Sequence, residues 1–321
     1  MTVSNEMTLT GERARAASRG LAVASTRRRN AALENMAAAI MEARADIKAA
    51  NTEDLKAGRE AGLSEAMLDR LEMHDARIEA MARGVAQVAD LPDPVGTELS
   101  CTIRPNGLVL SRVRVPIGVV AILFESRPNV TADAASLCIK SGNAAILRGG
   151  KEAIRTNSAI ADVFSGALDG AGLPPDSVQL MRTTDHAAVG ELLSMDRFID
   201  VVIPRGGKAL IERVTQEARM PVIKHFEGIC HVYVDRDADM DMASEIALNS
   251  KCQRPGVCNA MESLLVHKDV AGVALGPILE RLRDAGVEIV GDDGTRAVAP
   301  WVGPANEDDW RTEYLALKLS V

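Results

Sequence analysis

Aromatic side chains are scarce: Phe, Tyr and Trp together make up 2% of the 321 residues. The core must therefore be aliphatic and alanine-rich, and the aromatic platforms that stack single-stranded nucleic acid are excluded. Excess positive charge is also missing. The formal net charge is −8, which argues against a phosphate-backbone binder. No apolar run reaches the ~18 residues of a membrane span. Cysteine is sparse and odd in number (Cys101, Cys138, Cys230, Cys252 and Cys258), with no Cys-x-x-Cys, so a disulfide framework is not expected. The N-terminus lacks a compact apolar core followed by a small-residue cleavage site, which predicts no secretory signal and a cytoplasmic location. The common fingerprints GxGxxG, the Walker A loop, HExxH and GxSxG are absent.

What is present is the mix of a globular protein, 47% hydrophobic and 26% charged, at a length that suggests about two domains. From about Thr8 to Asp90 the chain is rich in Ala, Arg, Glu, Met and Leu at helical spacing, as in Leu33, Met36, Ala37, Ile40 and Met41. The Arg-rich stretch from Arg13 to Arg29 reads as a surface helix carrying Arg13, Arg19, Arg27 and Arg28. The period then changes to alternation around Asn106-Gly107. An Asn-Gly pair tolerates positive φ at both positions, so a type I′ hairpin is expected over Cys101–Val115. Alone such a ribbon is not stable, so it should pack on something or join a partner's sheet.

After Pro116 a βαβα pattern begins. Strands are expected at Val119–Phe124, Ala144–Leu147, Val178–Leu180, Phe198–Ile203 and from Val222. Helices are expected over 130–140, 152–169 and from Gly206-Gly207 to about Arg219. The alternation restarts at His231, with strands at His231–Val234, Ser263–His267 and Val287–Val290 around helices at 239–249 and 270–285. Continuous apolar strands between helices predict parallel sheets covered on both faces, with nucleotide cofactors beyond the carboxyl ends of the strands. Leu315, Leu317, Leu319 and Val321 fall on one face of a final strand. No turn follows it, which predicts a chain that stops inside a domain.

Few motifs carry chemistry. Arg148-Gly149-Gly150-Lys151 and Arg205-Gly206-Gly207-Lys208 each join a strand to a helix. Bare backbone and a cation at a helix N-terminus suit an anion; equally, both could be tight turns with solvated lysines. Asp235, Asp237, Asp239 and Asp241 begin like a calcium loop. Met240 and Ile246 stand where that loop needs Gly and Glu, so a solvated turn with a helix cap is expected. His225, Cys230, His231, Cys252 and Cys258 match no zinc spacing. The sharpest candidate is Cys258, after a glycine turn and downstream of Lys251 and Arg254. A nearby cation raises the thiolate fraction, so Cys258 is either a nucleophile or a small buried hydrophobe.

These residues lie in segments that strongly resemble the γ-glutamyl phosphate reductases, a branch of the aldehyde dehydrogenase superfamily also called glutamate-5-semialdehyde dehydrogenases. The segments are Val115-Pro-Ile-Gly-Val-Val120, Glu125-Ser-Arg-Pro-Asn-Val130, Gly142-Asn-Ala-Ala-Ile-Leu-Arg-Gly-Gly-Lys-Glu152, Pro204-Arg-Gly-Gly-Lys208 and Gln253-Arg-Pro-Gly-Val-Cys-Asn-Ala-Met-Glu262. The resemblance implies an α/β, aldehyde-dehydrogenase-like fold: a parallel Rossmann-type cofactor domain, a second, partial α/β catalytic domain, and a protruding β-hairpin. The implied boundaries are 1–98 for the N-terminal helical part of the cofactor domain, 99–116 for an oligomerisation hairpin, 117–228 for the NADPH-binding domain and 229–321 for the incomplete catalytic domain.

The implied reaction is NADPH-dependent reduction of L-glutamate 5-phosphate to L-glutamate 5-semialdehyde and phosphate through a cysteine thioester, the second step of proline biosynthesis from glutamate. The resemblance places the nucleophile at Cys258 and an oxyanion-hole amide at Asn129. It assigns the cofactor to Arg148, Gly149, Gly150, Lys151, Arg205, Gly206, Gly207 and Glu313, with Arg148 near the adenosine ribose, compatible with a 2′-phosphate, and Glu313 near the nicotinamide ribose. Arg127 and Arg254 suit the anionic groups of the substrate, or form structural salt bridges. No metal is implied. Functional coupling to glutamate 5-kinase and a homo-oligomer of the full-length form are expected; nucleic acid and membrane partners are not. The glutamate that activates water in hydrolytic relatives is replaced by His225, with Glu227 two residues on, which fits a reductase that need not hydrolyse its thioester. The rivals are a hydrolytic NAD-dependent aldehyde dehydrogenase using Glu227 as base, and an inactive cofactor-binding fragment.

Overall fold

The computed structural model describes residues 3–185, 187–224 and 228–321. The chain divides into two compact units, Met1–His225 and Phe226–Val321.

The first unit opens with five helices: α1 (Val3–Ala22), α2 (Thr26–Glu42), α3 (Arg44–Glu60), α4 (Glu65–Leu71) and α5 (Asp75–Asp90). Side-chain caps start three of them, α2, α4 and α5. Ser25 accepts the N–H of Arg28 to start α2, and Ser64 that of Met67 to start α4. The i, i+3, i+4 stripe Ile78, Met81, Ala82, Val85 and Ala89 turns one face of α5 inward. Leu33, Met36 and Ile40 of α2 are fully buried in the same core. Arg13, Arg19, Arg27 and Arg28 are exposed as expected, but Arg29 is buried and paired with Asp93.

Strands β1 (Glu98–Ile103) and β2 (Val109–Val113) form the antiparallel ribbon, pairing Ile103 with Val109. Its turn is not type I′. Pro105 fixes its own φ near −65°, which suits the second position of a type I turn. Arg104 C=O therefore accepts the Gly107 N–H at 2.9 Å, and only Gly107 takes positive φ, at 85°. The Arg104 N–H to Leu108 C=O bond, also 2.9 Å, completes a three-residue loop with a glycine bulge. Every residue of both strands is exposed, including Leu99, Ile103, Val109, Leu110 and Val113.

The rest of the first unit alternates strand and helix: β3 (Val119–Phe124), α6 (Val130–Lys140), β4 (Ala144–Arg148), α7 (Ile154–Gly170), β5 (Val178–Leu180), α8 (Ala187–Leu193), β6 (Val201–Arg205) and α9 (Lys208–Glu217). The sheet is parallel with order β5-β4-β3-β6, and all six residues of β3 are buried. β6 starts later than its apolar run suggests, because the Phe198 and Ile199 N–H groups both close a turn on the Met195 carbonyl at 2.9 Å. The segment at Val222 gives one bridge to Val202 instead of a strand.

The second unit contains β7 (Cys230–Val234), α10 (Met240–Cys252), β8 (Met261–Val266), α11 (Lys268–Asp284), β9 (Glu288–Gly291), α12 (Asp293–Val298), β10 (Gly303–Pro304) and β11 (Lys318–Ser320). Its parallel sheet runs β10-β9-β11-β8-β7 over a core that includes Leu264, Ile278, Leu279 and Leu319. Asp239 caps α10 through the Met242 N–H at 2.9 Å. The last strand is shorter than its alternation predicts: Leu315 has φ 51°, and Leu315 and Leu317 are exposed while Leu319 and Val321 are buried. Among the described residues, no helix is long and apolar enough to cross a membrane, and no group of three or more His, Cys, Asp or Glu side chains could hold a metal.

Candidate active site

In the first unit, three adjacent strands end at one edge of the sheet. β3 and β4 align Leu123 with Arg148, and β3 and β6 align Phe124 with Arg205. The register therefore gathers Arg127 and Asn129 after β3, Arg148, Gly149, Gly150 and Lys151 after β4, and Arg205, Gly206 and Gly207 after β6. This is the carboxyl edge of the strands, where open parallel sheets bind nucleotides.

Two carboxylates that sequence reasoning passed over organise this edge. Glu152 Oε1 accepts both the N–H and the Oγ–H of Ser126, at 2.8 and 2.7 Å. Ser126 has φ 40°, an uncommon conformation for a non-glycine residue that these two bonds hold. Glu125 Oε2 accepts the Gly207 N–H at 2.9 Å, just before α9, which has no side-chain cap of its own. An anion arriving at that helix N-terminus meets a carboxylate of the chain itself. The only signal for either role is that Glu125 opens the Glu125-Ser-Arg-Pro-Asn-Val130 segment and Glu152 follows the Arg148-Gly149-Gly150-Lys151 turn.

Arg148 is half-buried. Burial pushes its guanidinium below the ordinary arginine range and the Arg213 charge adds to this, while Glu152 and Glu125 oppose it. Lys151 and Arg205, at the same sheet edge, are exposed. Half-buried and exposed cations and bare backbone turns form a donor set that fits a phosphorylated dinucleotide. Asn129 stands at the start of α6, and its Nδ2 donates to Asp133 Oδ2 at 2.9 Å. Burial raises the Asp133 carboxyl above its ordinary range, and the Asn129 bond opposes the rise.

The second unit gathers its candidates at the opposite kind of edge. β11, β8 and β7 are neighbours and parallel, so the segments entering them start side by side. These segments are 312–317, 253–260 and 228–229. Cys258 sits in the middle one, with its residue exposed. Its carbonyl accepts the Cys230 thiol at 3.4 Å. A Cβ built on Gly228 would lie 3.0 Å from that same carbonyl and 3.9 Å from Glu313 Oε1. Cys258 and Glu313, 55 positions apart in sequence, thus converge on one glycine. Arg254 is exposed in the Cys258 loop. Burial pushes the Cys138 thiol up to about 12, and also raises Cys252, against the opposing charge of Lys251; Cys101 is exposed, as Cys258 is. His225 and Glu227 lie outside the described residues.

The chain matches the aldehyde dehydrogenase family over residues 4–315. It belongs to that family. A γ-glutamyl phosphate reductase from Thermotoga maritima is 42% identical, with a TM-score of 0.91, covering 98% of this chain and 76% of that one. A γ-glutamyl phosphate reductase from Saccharomyces cerevisiae is 33% identical, with a TM-score of 0.65, covering 100% of this chain and 80% of that one. A probable aldehyde dehydrogenase from Listeria monocytogenes EGD-e, at 18% identity, TM-score 0.66 and coverages of 99% and 75%, shares the fold. The aldehyde-dehydrogenase-like α/β fold is thereby shown. The chain is an oxidoreductase of the glutamate-5-semialdehyde dehydrogenase type, in a family that uses nicotinamide cofactors.

Proposed function

We propose that this chain reduces L-glutamate 5-phosphate to L-glutamate 5-semialdehyde and phosphate, with NADPH as the hydride donor, as the second step of proline biosynthesis from glutamate. The observation that carries the proposal is the convergence of Cys258 and Glu313 on Gly228, in a chain 42% identical to a γ-glutamyl phosphate reductase.

In this mechanism the Cys258 sulfur attacks the acyl carbon, forming a C–S bond as the C–O bond to phosphate breaks. Phosphate leaves readily without a strong general acid. Asn129 retains a second amide N–H beyond the one given to Asp133, and this donor is assigned to the oxyanion; such a donor is typically worth about 3 kcal/mol. Arg127 and Arg254 hold the anionic ends of the substrate. Arg148, Lys151 and the two glycine turns would hold NADPH, with Arg148 for the 2′-phosphate and Glu313 for the nicotinamide ribose. Held there, the cofactor would supply the hydride that reduces the thioester carbon. The resulting thiohemiacetal of Cys258 then collapses, returning the sulfur and releasing the aldehyde.

Cys258→Ala removes the nucleophile and nothing that binds cofactor. Reduction should fall to background while NADPH affinity stays within twofold of native; turnover by this variant would remove Cys258 from its role. The exposed apolar ribbon of β1 and β2 is assigned to contact between subunits of a homo-oligomer, and a monomeric mass in light scattering would remove that assignment.

A further inference from the structure

Lys251 lies near the end of α10 and Glu262 near the start of β8, so the pair spans the loop that carries Cys258. Both side chains are buried, at 0% and 1% exposure, and Lys251 Nζ meets Glu262 Oε2 at 2.8 Å. Such a pair adds little net stability, because desolvating two charges consumes most of their attraction; an apolar pair of similar volume folds as well or better. Its geometry, by contrast, is specific. The second carboxylate oxygen, Glu262 Oε1, accepts the N–H of Leu315 at 3.2 Å. Leu315 is held at φ 51°, costly for a branched side chain. Its carbonyl lies 3.8 Å from a Cβ built on Gly256 of the Cys258 loop. Leu315 stands two residues after Glu313. Ser320 Oγ donates to the Glu262 carbonyl at 3.2 Å and shares a 2.7 Å bond with Ser263 Oγ, locking the strands behind the carboxylate.

We propose that Glu262, neutralised by Lys251, is a positioning residue: one oxygen ties down the loop of Cys258 and the other ties down the segment of Glu313, fixing the nucleophile relative to the group assigned to the nicotinamide ribose. This rests on the roles proposed above for Cys258 and Glu313. A carboxylate suits the task because it presents two acceptor oxygens in two directions, and the lysine supplies the charge that lets it be buried.

The test compares two double variants, so that no lone charge is left buried. K251M/E262M removes both charges and the acceptor for the Leu315 N–H; K251M/E262Q removes both charges but keeps an acceptor. Both should melt within a few degrees of native. In K251M/E262M kcat should fall about tenfold or more and the alkylation rate of Cys258, followed by peptide mapping, should change by a similar factor. K251M/E262Q keeps an acceptor for the Leu315 N–H but loses the tie to Lys251, so its kcat should lie between native and K251M/E262M. Native kcat and native alkylation in K251M/E262M would overturn the proposal, and so would equal losses in both variants that follow their melting temperatures. Cys258→Ala, assayed alongside, separates the two claims. Turnover by that variant removes the mechanism itself, whereas an inactive Cys258→Ala beside a native K251M/E262M removes only the positioning role.

Discussion

Asp54 makes the most quantitative prediction. It reaches from α3 to the N-terminus of α7, the helix that follows the Arg148-Gly149-Gly150-Lys151 turn. Its side chain is 2% exposed. Oδ2 accepts the Thr156 N–H at 2.8 Å and the Thr156 Oγ–H at 2.7 Å, and Oδ1 accepts the Arg155 N–H at 3.4 Å. The residue before α7, Ala153, offers no side-chain cap, so Asp54 does that work from another helix. Hydrogen bonds to a charged acceptor are worth about 1.5–3 kcal/mol each, and removing the acceptor leaves buried donors unpaired. The Arg155 guanidinium is 56% exposed, so its ion pair adds little. Counting the two short bonds, Asp54→Ala should cost about 3–4 kcal/mol, or roughly 10 °C in the melting temperature of a unit this size. Because the loosened helix start adjoins the cofactor turn, KM for NADPH should rise with kcat little changed. Thermal melts by circular dichroism and steady-state kinetics measure both effects. A melting temperature within about 2 °C of native would refute the capping account.

Three further predictions follow from the geometry. Arg148→Ala should weaken NADPH by about tenfold or more and NADH by much less, because an arginine–phosphate pair is lost only with the former; equal losses in fluorescence titration would refute the 2′-phosphate assignment. Gly228→Ala places a Cβ 3.0 Å from the Cys258 carbonyl, so the loop must give by a few tenths of an ångström, and kcat should fall about tenfold; native kcat would show that the carbonyl position does not matter. Stability should fall on the acid side. At Asp93 burial raises the carboxyl, but bonds from Thr26 and the Val95 N–H and the Arg29 charge outweigh it. At Asp309 the Asn306 N–H and Tyr314 hydroxyl lower the carboxyl against burial. Both groups sit below the ordinary 3.8 in the fold, so their contribution is present above that value and is lost as pH falls through the folded values. Asp133, raised by burial, contributes in the opposite sense. Melts between about pH 5 and 2.5 should show a steep acid limb that Asp93→Asn flattens; an unchanged limb would contradict the assignment.

Much of the architecture was legible because burial dictates residue type. A strand buried along its whole length must be continuously apolar, and Val119–Phe124 is read correctly to the residue. What period cannot convey is hydrogen bonding that overrides it: the Met195 carbonyl delays β6, and positive φ at Leu315 breaks the alternation into β11. Asn106-Gly107 alone predicts a type I′ turn; Pro105 shifts the turn by one residue, so that the Gly107 N–H closes on the Arg104 carbonyl. At the site, glycine turns and Cys258 stand out by composition. Glu125, Glu152 and Glu262 do not, since an acidic residue in sequence looks solvated until a fold buries it or aims it at a backbone N–H. The meeting of Cys258 and Glu313 at Gly228 depends on β11, β8 and β7 being neighbours, which strand order alone reveals.

The central claim is that the acyl group passes through the sulfur of Cys258. The most direct measurement runs the reaction backwards without phosphate: L-glutamate 5-semialdehyde and NADP+ are mixed with the chain, reduced cofactor is followed by absorbance, and the quenched protein is mapped by mass spectrometry. The account predicts reduced cofactor up to one equivalent per chain, with a glutamyl thioester on the peptide containing Cys258 and release of that adduct when phosphate is added. Multiple turnovers without phosphate, or an adduct on any other residue, would contradict it.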